Sequence, residues 1–158
     1  MEKFPNEPNS PIVISKWISI LYRQFQIYFN QHLKAEGISS SEYIFLMALY
    51  REDGLSQDTL SHRLLIDKAA TARSIKKLEE KHYITRQKDL HDKRINRVHI
   101  TESGLALRDK IIPVLDSWNK LLTDDLPPAV IKDLSQNLES LTQKVRQINF
   151  DNKEKLNE

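Results

Sequence analysis

Three observations predict a mainly α-helical (α+β) fold that carries one small β-hairpin. Apolar residues recur at spacings of three and four along most of the chain. The period breaks once, into two short β-like runs between residues 84 and 100. Serine, threonine or aspartate stands just ahead of successive helical stretches, where a side-chain oxygen can accept from free backbone amides. With 158 residues and 39% apolar content the chain can bury one core, and it reads as one folded unit.

Residues 1–11 hold three prolines and are expected to form a flexible arm. From Ile12, the positions Ile14, Ile18, Leu21, Phe25 and Tyr28 lay an apolar stripe along a first helix that ends near Gly37. Ser39, Ser40, Ser41 and Glu42 fit a capping box, and Tyr43, Phe45, Leu46, Leu49 and Tyr50 mark a second helix stopping at Asp53-Gly54. Ser56 caps a short third helix through Leu60 and Leu64. Asp67 caps a fourth carrying Ala72, Ile75 and Leu78, ending by Tyr83.

Residues 84–88 and 97–100 then read as strands, with the polar stretch 89–94 as the hairpin tip. Thr101 caps a fifth helix, in which Pro113 is expected to cause a kink by removing one backbone donor. Pro127-Pro128 opens the last helix, where Ile131, Leu134, Leu138, Leu141, Val145 and Ile148 repeat at three and four. Residues 151–158 are expected to fray. Two heptad-like stripes thus lie at opposite ends of the sequence. They can pack on each other within one chain or across a two-fold axis, and the second arrangement is preferred.

Composition excludes several chemistries. Without cysteine there is no disulfide, no thiolate catalysis and no sulfur-ligated zinc site. The five histidines, at 32, 62, 82, 91 and 99, show no metal-ligand spacing, and no glycine-rich phosphate loop occurs. No enzyme activity, metal or cofactor is expected. No long apolar run suggests a membrane span and the N-terminus lacks the regions of a secretory signal, so the expected location is the cytoplasm.

The net charge of +2 conceals an uneven distribution. Residues 62–97 hold eleven Lys/Arg against five Asp/Glu, whereas the remainder holds thirteen basic and seventeen acidic residues. A basic middle between acidic flanks is the footprint of a segment that faces nucleic acid. Within it, residues 56–83 follow the plan of a helix-turn-helix, with the turn at Leu65-Ile66-Asp67.

With Ile75 in the core and a step of about 100° per residue, Thr71, Ala72, Leu78, Glu79 and His82 fall on the buried side of the second helix. Ala69, Ala70, Arg73, Ser74, Lys76 and Lys77 fall outside. Arg73 is the candidate for bidentate contact to guanine, and the methyls of Ala69 and Ala70 for contact with thymine methyls. Lys68, Lys76 and Lys77 suit phosphates. Ser56 and Gln57, opening the preceding helix, complete the predicted contacts there. At the hairpin tip His91, Lys93 and Arg94 can enter a minor groove or ride on phosphates, with Asp89 and Asp92 organising the turn and holding an arginine.

The stretch Asp89-Leu90-His91-Asp92-Lys93-Arg94, followed by Ile100-Thr101, resembles the wing of the multiple-antibiotic-resistance regulator (MarR) family of bacterial winged-helix proteins. The run from Arg73 to Lys81 with Ile84-Thr85-Arg86, and Thr101-Glu102-Ser103-Gly104, resemble the same family. The likeness covers nearly the whole chain. It implies a winged helix-turn-helix over residues 12–150 with N- and C-terminal dimerisation helices (12–37 and 101–150), a helix-turn-helix (56–83) and a wing (84–100). Two positions depart from the pattern. His91 stands where the family usually has arginine, which predicts a weaker or pH-responsive wing. His82 stands where a glycine commonly ends the recognition helix, at a positive φ that histidine tolerates less well.

The implied function is a homodimeric transcriptional regulator, by default a repressor, that binds a pseudo-palindromic operator in double-stranded DNA. The resemblance also implies a cleft for a small aromatic or anionic effector, to be lined by aromatics of the first two helices. The rival expectation is a winged-helix protein-interaction module that docks an acidic partner.

Overall fold

A computed structural model describes the backbone of residues 11–155 and the side chains of residues 14–148. The expected N-terminal arm therefore lies outside the described residues except for Pro11, where the first helix begins. The chain divides into two compact units, residues 1–118 and 119–158, a boundary that the sequence reading did not draw.

In the first unit the elements run α1 (Pro11–His32), α2 (Tyr43–Arg51), β1 (Leu55–Ser56), α3 (Gln57–Leu64), α4 (Lys68–Glu80), β2 (Ile84–Lys88), β3 (Asn96–Ile100) and α5 (Glu102–Ala106), followed by most of α6 (Arg108–Thr123). The strands form one antiparallel sheet in the order β1-β3-β2. Ile84 pairs with Ile100 and Arg86 with Val98, while Leu55 flanks Val98 from the other edge. The hairpin is thus the larger part of a three-stranded sheet. The two-residue β1 has no alternation to detect, and it pairs only because Ser56 extends before opening α3.

Fully buried Phe29, Phe45, Leu60, Ile75, Leu78 and Val98 gather α1, α2, α3, α4 and β3 around one core. Burial of each such side chain contributes roughly 1.5–3 kcal/mol. The α1 stripe divides along its length. Phe29 is buried and Phe25 half-buried, but Ile14, Trp17, Ile18, Leu21 and Tyr22 are exposed.

The expected capping box is half made. Glu42 accepts from the Ser39 amide at 2.9 Å and from its hydroxyl at 2.8 Å, but the Ser39 hydroxyl caps no amide. The carboxylate draws that hydroxyl to itself, and residues 40–42 form a turn ahead of α2. The fifth helix also differs from expectation. It breaks at Leu107, a buried side chain between α5 and α6, whereas Pro113 lies inside α6 without ending it. As the sixth residue of α6, Pro113 cannot supply the amide that would bond the Asp109 carbonyl, and the helix continues past it to Thr123.

Gly104 explains why α5 begins where it does. A Cβ there would lie 2.0 Å from the Tyr83 carbonyl oxygen, so only glycine lets α5 approach the chain entering β2. Thr101 Oγ1 donates to the His82 carbonyl at 2.7 Å and accepts from the Gly104 amide at 3.0 Å. The Tyr50 hydroxyl donates to the Gly104 carbonyl at 2.8 Å, and burial pushes that phenol up to about 12.

The second unit holds the end of α6 and α7 (Pro128–Lys155). Pro128 takes the first helical position, where its missing amide costs nothing. Helix α7 continues to Lys155, into the stretch expected to fray from residue 151. Its apolar positions Leu134, Leu138, Leu141, Val145 and Ile148 are each exposed by 42–57%. Among the described residues no helix is long and apolar enough to cross a membrane.

Candidate nucleic-acid interface

Helix α4 is placed by its two ends. At its start Asp67 Oδ1 accepts from the Ala70 amide at 2.7 Å, the cap expected from the sequence. Just before it α3, capped by Ser56 through the Thr59 amide at 3.0 Å, stops at Leu65. Leu65 is left-handed with φ 55°, a conformation costing about 1–2 kcal/mol outside glycine. The turn is held by Ser61, whose hydroxyl donates to the Ile66 carbonyl at 2.7 Å.

At its C-terminal end the helix is tied to the α1–α2 turn. Lys81 Nζ donates to Glu42 Oε1 at 2.7 Å, to Oε2 at 2.9 Å and to the Gly37 carbonyl at 2.6 Å. The Tyr83 hydroxyl adds a bond to the Glu36 carbonyl at 2.9 Å. Burial alone pushes the Glu42 carboxyl up, but Lys81 and the two Ser39 donors outweigh it and leave the group below its usual range. A third tie links α4 to β2, where Arg86 Nη2 donates to Glu79 Oε2 at 2.5 Å. None of these partners is visible from local spacing.

With both ends fixed, Thr71, Ile75 and Leu78 turn inward and Lys68, Ala69, Arg73, Lys76 and Lys77 turn outward. Ala70 and Ser74, assigned to the outer face, are half-buried at its edge. His82, assigned to the buried side, is exposed. The helix ends at Glu80, and His82 has φ 61°, so a helical projection no longer applies there. The left-handed conformation itself is the one expected at that position. Ser56 and Gln57 are half-buried, and the Ser56 hydroxyl is already engaged as the cap of α3.

The basic groups of α4 differ in their freedom. Lys68 pairs with Asp58 at 3.0 Å and Lys76 with Glu80 at 3.7 Å. Among the described residues Arg73 and Lys77 make no ion pair. Among the described residues Arg73 is therefore an exposed guanidinium with no acceptor on it, on a helix whose pose is set elsewhere.

The tip between β2 and β3 is braced by its two aspartates, as the residue types suggested. Asp89 Oδ1 accepts from the amides of His91 at 2.8 Å and Asp92 at 3.0 Å. Its Oδ2 accepts from Arg97 Nε, and Arg97 Nη1 donates onward to the Gly54 carbonyl at 3.0 Å. Asp92 accepts from Arg94 Nε at 3.0 Å and Nη2 at 2.9 Å, a two-pronged carboxylate–guanidinium pair. The Arg97 bond and the two amides hold the Asp89 carboxyl far below its usual range, and Arg94 lowers that of Asp92. His91, Lys93 and Arg94 are all exposed. Arg97 was missed because its partner lies across the hairpin, and antiparallel register is the signal that would have found it.

A separate cluster joins α1, α2 and α6. Phe25 and Tyr28 each meet Trp118, at 5.7 and 5.3 Å between ring centroids, Phe29 meets Tyr43 at 4.5 Å, and Tyr28 stacks on His32 at 3.9 Å. Trp118 belongs to none of the helices from which the aromatic set was drawn. Phe45 is fully buried and serves the core.

Comparison with known proteins gives this geometry its context. Residues 36–95 match the family model described as MarR family. The HTH-type transcriptional regulator BilQ of Clostridioides difficile (strain CD3) is 25% identical over 125 residues, covering 79% of this chain and 84% of that protein. A solved MarR transcriptional regulator from Methanosarcina mazei Go1 is 38% identical with a TM-score of 0.81, covering 86% of this chain and 98% of that one. The fold also matches BpsR of Bordetella bronchiseptica, whose DNA binding is regulated by 6-hydroxynicotinic acid. That match has 19% identity, a TM-score of 0.73 and coverage of 82% and 98%. A capped α4, an Asp-braced hairpin and these relatives together establish that the chain belongs to the MarR family and is a DNA-binding transcriptional regulator, not an enzyme.

Proposed function

We propose that the protein is a homodimeric repressor that binds a pseudo-palindromic operator and is released from it by a small aromatic or anionic ligand. The observation that carries the DNA-reading part is Arg73, exposed and unpaired among the described residues on a helix anchored at both ends. In this reading α4 enters the major groove, Arg73 contacts guanine, and Ala69 and Ala70 lie near thymine methyls. Lys68, Lys76 and Lys77 meet phosphates, and Ser56, Gln57 and Ser74 lie at the margin of the contact. His91, Lys93 and Arg94 carry the wing to the minor groove or its phosphates.

Support for the dimer comes from the exposed apolar halves of α1 and α7, which are costly to leave in water. Support for an effector comes from the half-buried Phe25, Tyr28 and Trp118 cluster and from the BpsR precedent. A ligand would act through different affinities for DNA-competent and incompetent spacings of the two reading helices.

Selection of bound sequences from random duplexes, with the mass of the complex measured in parallel, tests the proposal. The expected product is two inverted half-sites with centres about one helical turn, ~10 base pairs, apart. A shallow salt dependence with no sequence preference would instead favour a module that docks an acidic partner.

A further inference from the structure

Leu90 is the most exposed large apolar side chain among the described residues, at 84%. It is also the only apolar residue in the 89–94 tip. Its backbone is not loose. Asp89 on one side binds the His91 and Asp92 amides and Arg97, and the Asp89 amide donates to the Ile95 carbonyl at 3.0 Å. Asp92 on the other side holds Arg94, and its carbonyl accepts from the Ile95 amide at 2.9 Å. A braced turn therefore presents one bare isobutyl group, near the exposed cations Lys93 and Arg94 and beside the exposed His91 ring. An apolar point between cations complements a groove with phosphate walls and a floor that lacks hydrogen-bond donors.

We propose that Leu90 is a specificity-determining contact: it lies on the minor-groove floor beside each half-site and selects base pairs that lack an exocyclic amino group there. This rests on the DNA-reading role proposed above. In the minor groove A·T and T·A pairs display only acceptors, and G·C adds the guanine 2-amino donor. Leu90 offers no acceptor, so covering that amino group would strip its water and leave a donor unpaired. Acceptors on A·T pairs suffer less, because the neighbouring cations supply donors. The wing then reads A·T against G·C by exclusion, independently of what Arg73 reads in the other groove.

The test uses the full-length protein and a duplex taken from the random-sequence selection. Each adenine is replaced singly by 2,6-diaminopurine and each guanine by inosine. These changes add or remove the 2-amino group and leave the major-groove edge intact. For the wild type, an added amino group at one or two positions flanking each half-site is expected to weaken binding on the order of tenfold, the penalty for one unpaired donor. Removing one there is expected to strengthen binding. Leu90→Ser should bind both duplexes alike, and Leu90→Met, which restores apolar reach, should recover the discrimination. Equal sensitivity of wild type and Leu90→Ser, or no sensitive flanking position, overturns the inference while leaving the DNA-reading role intact. Failure to select any duplex overturns that role as well.

Discussion

Helix α4 and the wing carry similar charge but prepare it in opposite ways. On α4 the framework is held and the proposed reading group is loose: Asp67 and Lys81 fix the helix, and Arg73 has no ion-pair partner among the described residues. On the wing the turn is held and so is Arg97, by Asp89, whereas the Arg94–Asp92 pair lies in solvent with the arginine side chain 90% exposed. Ordering a long cationic side chain costs about 1.5–2 kcal/mol of rotamer entropy. Arg97 meets that cost on folding, and Arg73, in the proposed role, would meet it on binding. A group that must choose among bases gains from open donors, whereas one that sets position gains from being fixed.

The largest effect expected to break this contrast is at the anchor of α4. Glu42→Gln leaves Lys81 without its anion, and loss of one partner of a buried pair costs about 3–5 kcal/mol. Lys81 is partly exposed, so the lower end is expected. Chemical denaturation measures it, and an unchanged midpoint would show that the clamp does not support the helix. Next in size, Arg73→Ala is expected to cost roughly 1–3 kcal/mol on the selected operator and to relax selectivity. Uniform weakening across all sequences would remove Arg73 from base reading.

Arg94→Ala is expected to lower operator affinity by less, with no change in oligomeric state by sedimentation. Dissociation of the dimer would instead place the wing in the interface. The bracing also fixes a pH response. Asp89 and Asp92 have carboxyls lowered in the folded state, so their stabilisation is present above the ordinary carboxylate range and lost as pH falls through the folded values. The Asp89 carboxyl carbon resonance should therefore keep its position from neutral pH down through pH 4. A shift near the ordinary aspartate range would contradict the brace. Smallest, Lys77→Ala should weaken all duplexes alike and reduce the salt slope by about one.

Features with local causes were legible in the sequence. Ser56, Asp67 and Thr101 cap the helices they precede, because a cap is decided within three residues. The Asp89 and Asp92 turn could be read for the same reason. Features made by distant partners were not. Lys81 meets Glu42 across 39 positions, and nothing near either residue announces it. Strand β1 exists only because β3 lies beside it. Helical projection misplaced His82 because it assumed a helix where the backbone had already turned left-handed. The single helix expected from Thr101 onward is interrupted at Leu107, a buried leucine that no local breaker residue marks.

Ser56 has two duties, closing β1 against Arg97 and opening α3 through its hydroxyl. At this edge the wing sheet therefore passes directly into the helix-turn-helix, with no residue between β1 and α3. A displacement of the sheet edge at Ser56 is therefore expected to carry the start of α3 with it. In the proposed dimer, the span of operator reached would then depend on how the two heads are held apart.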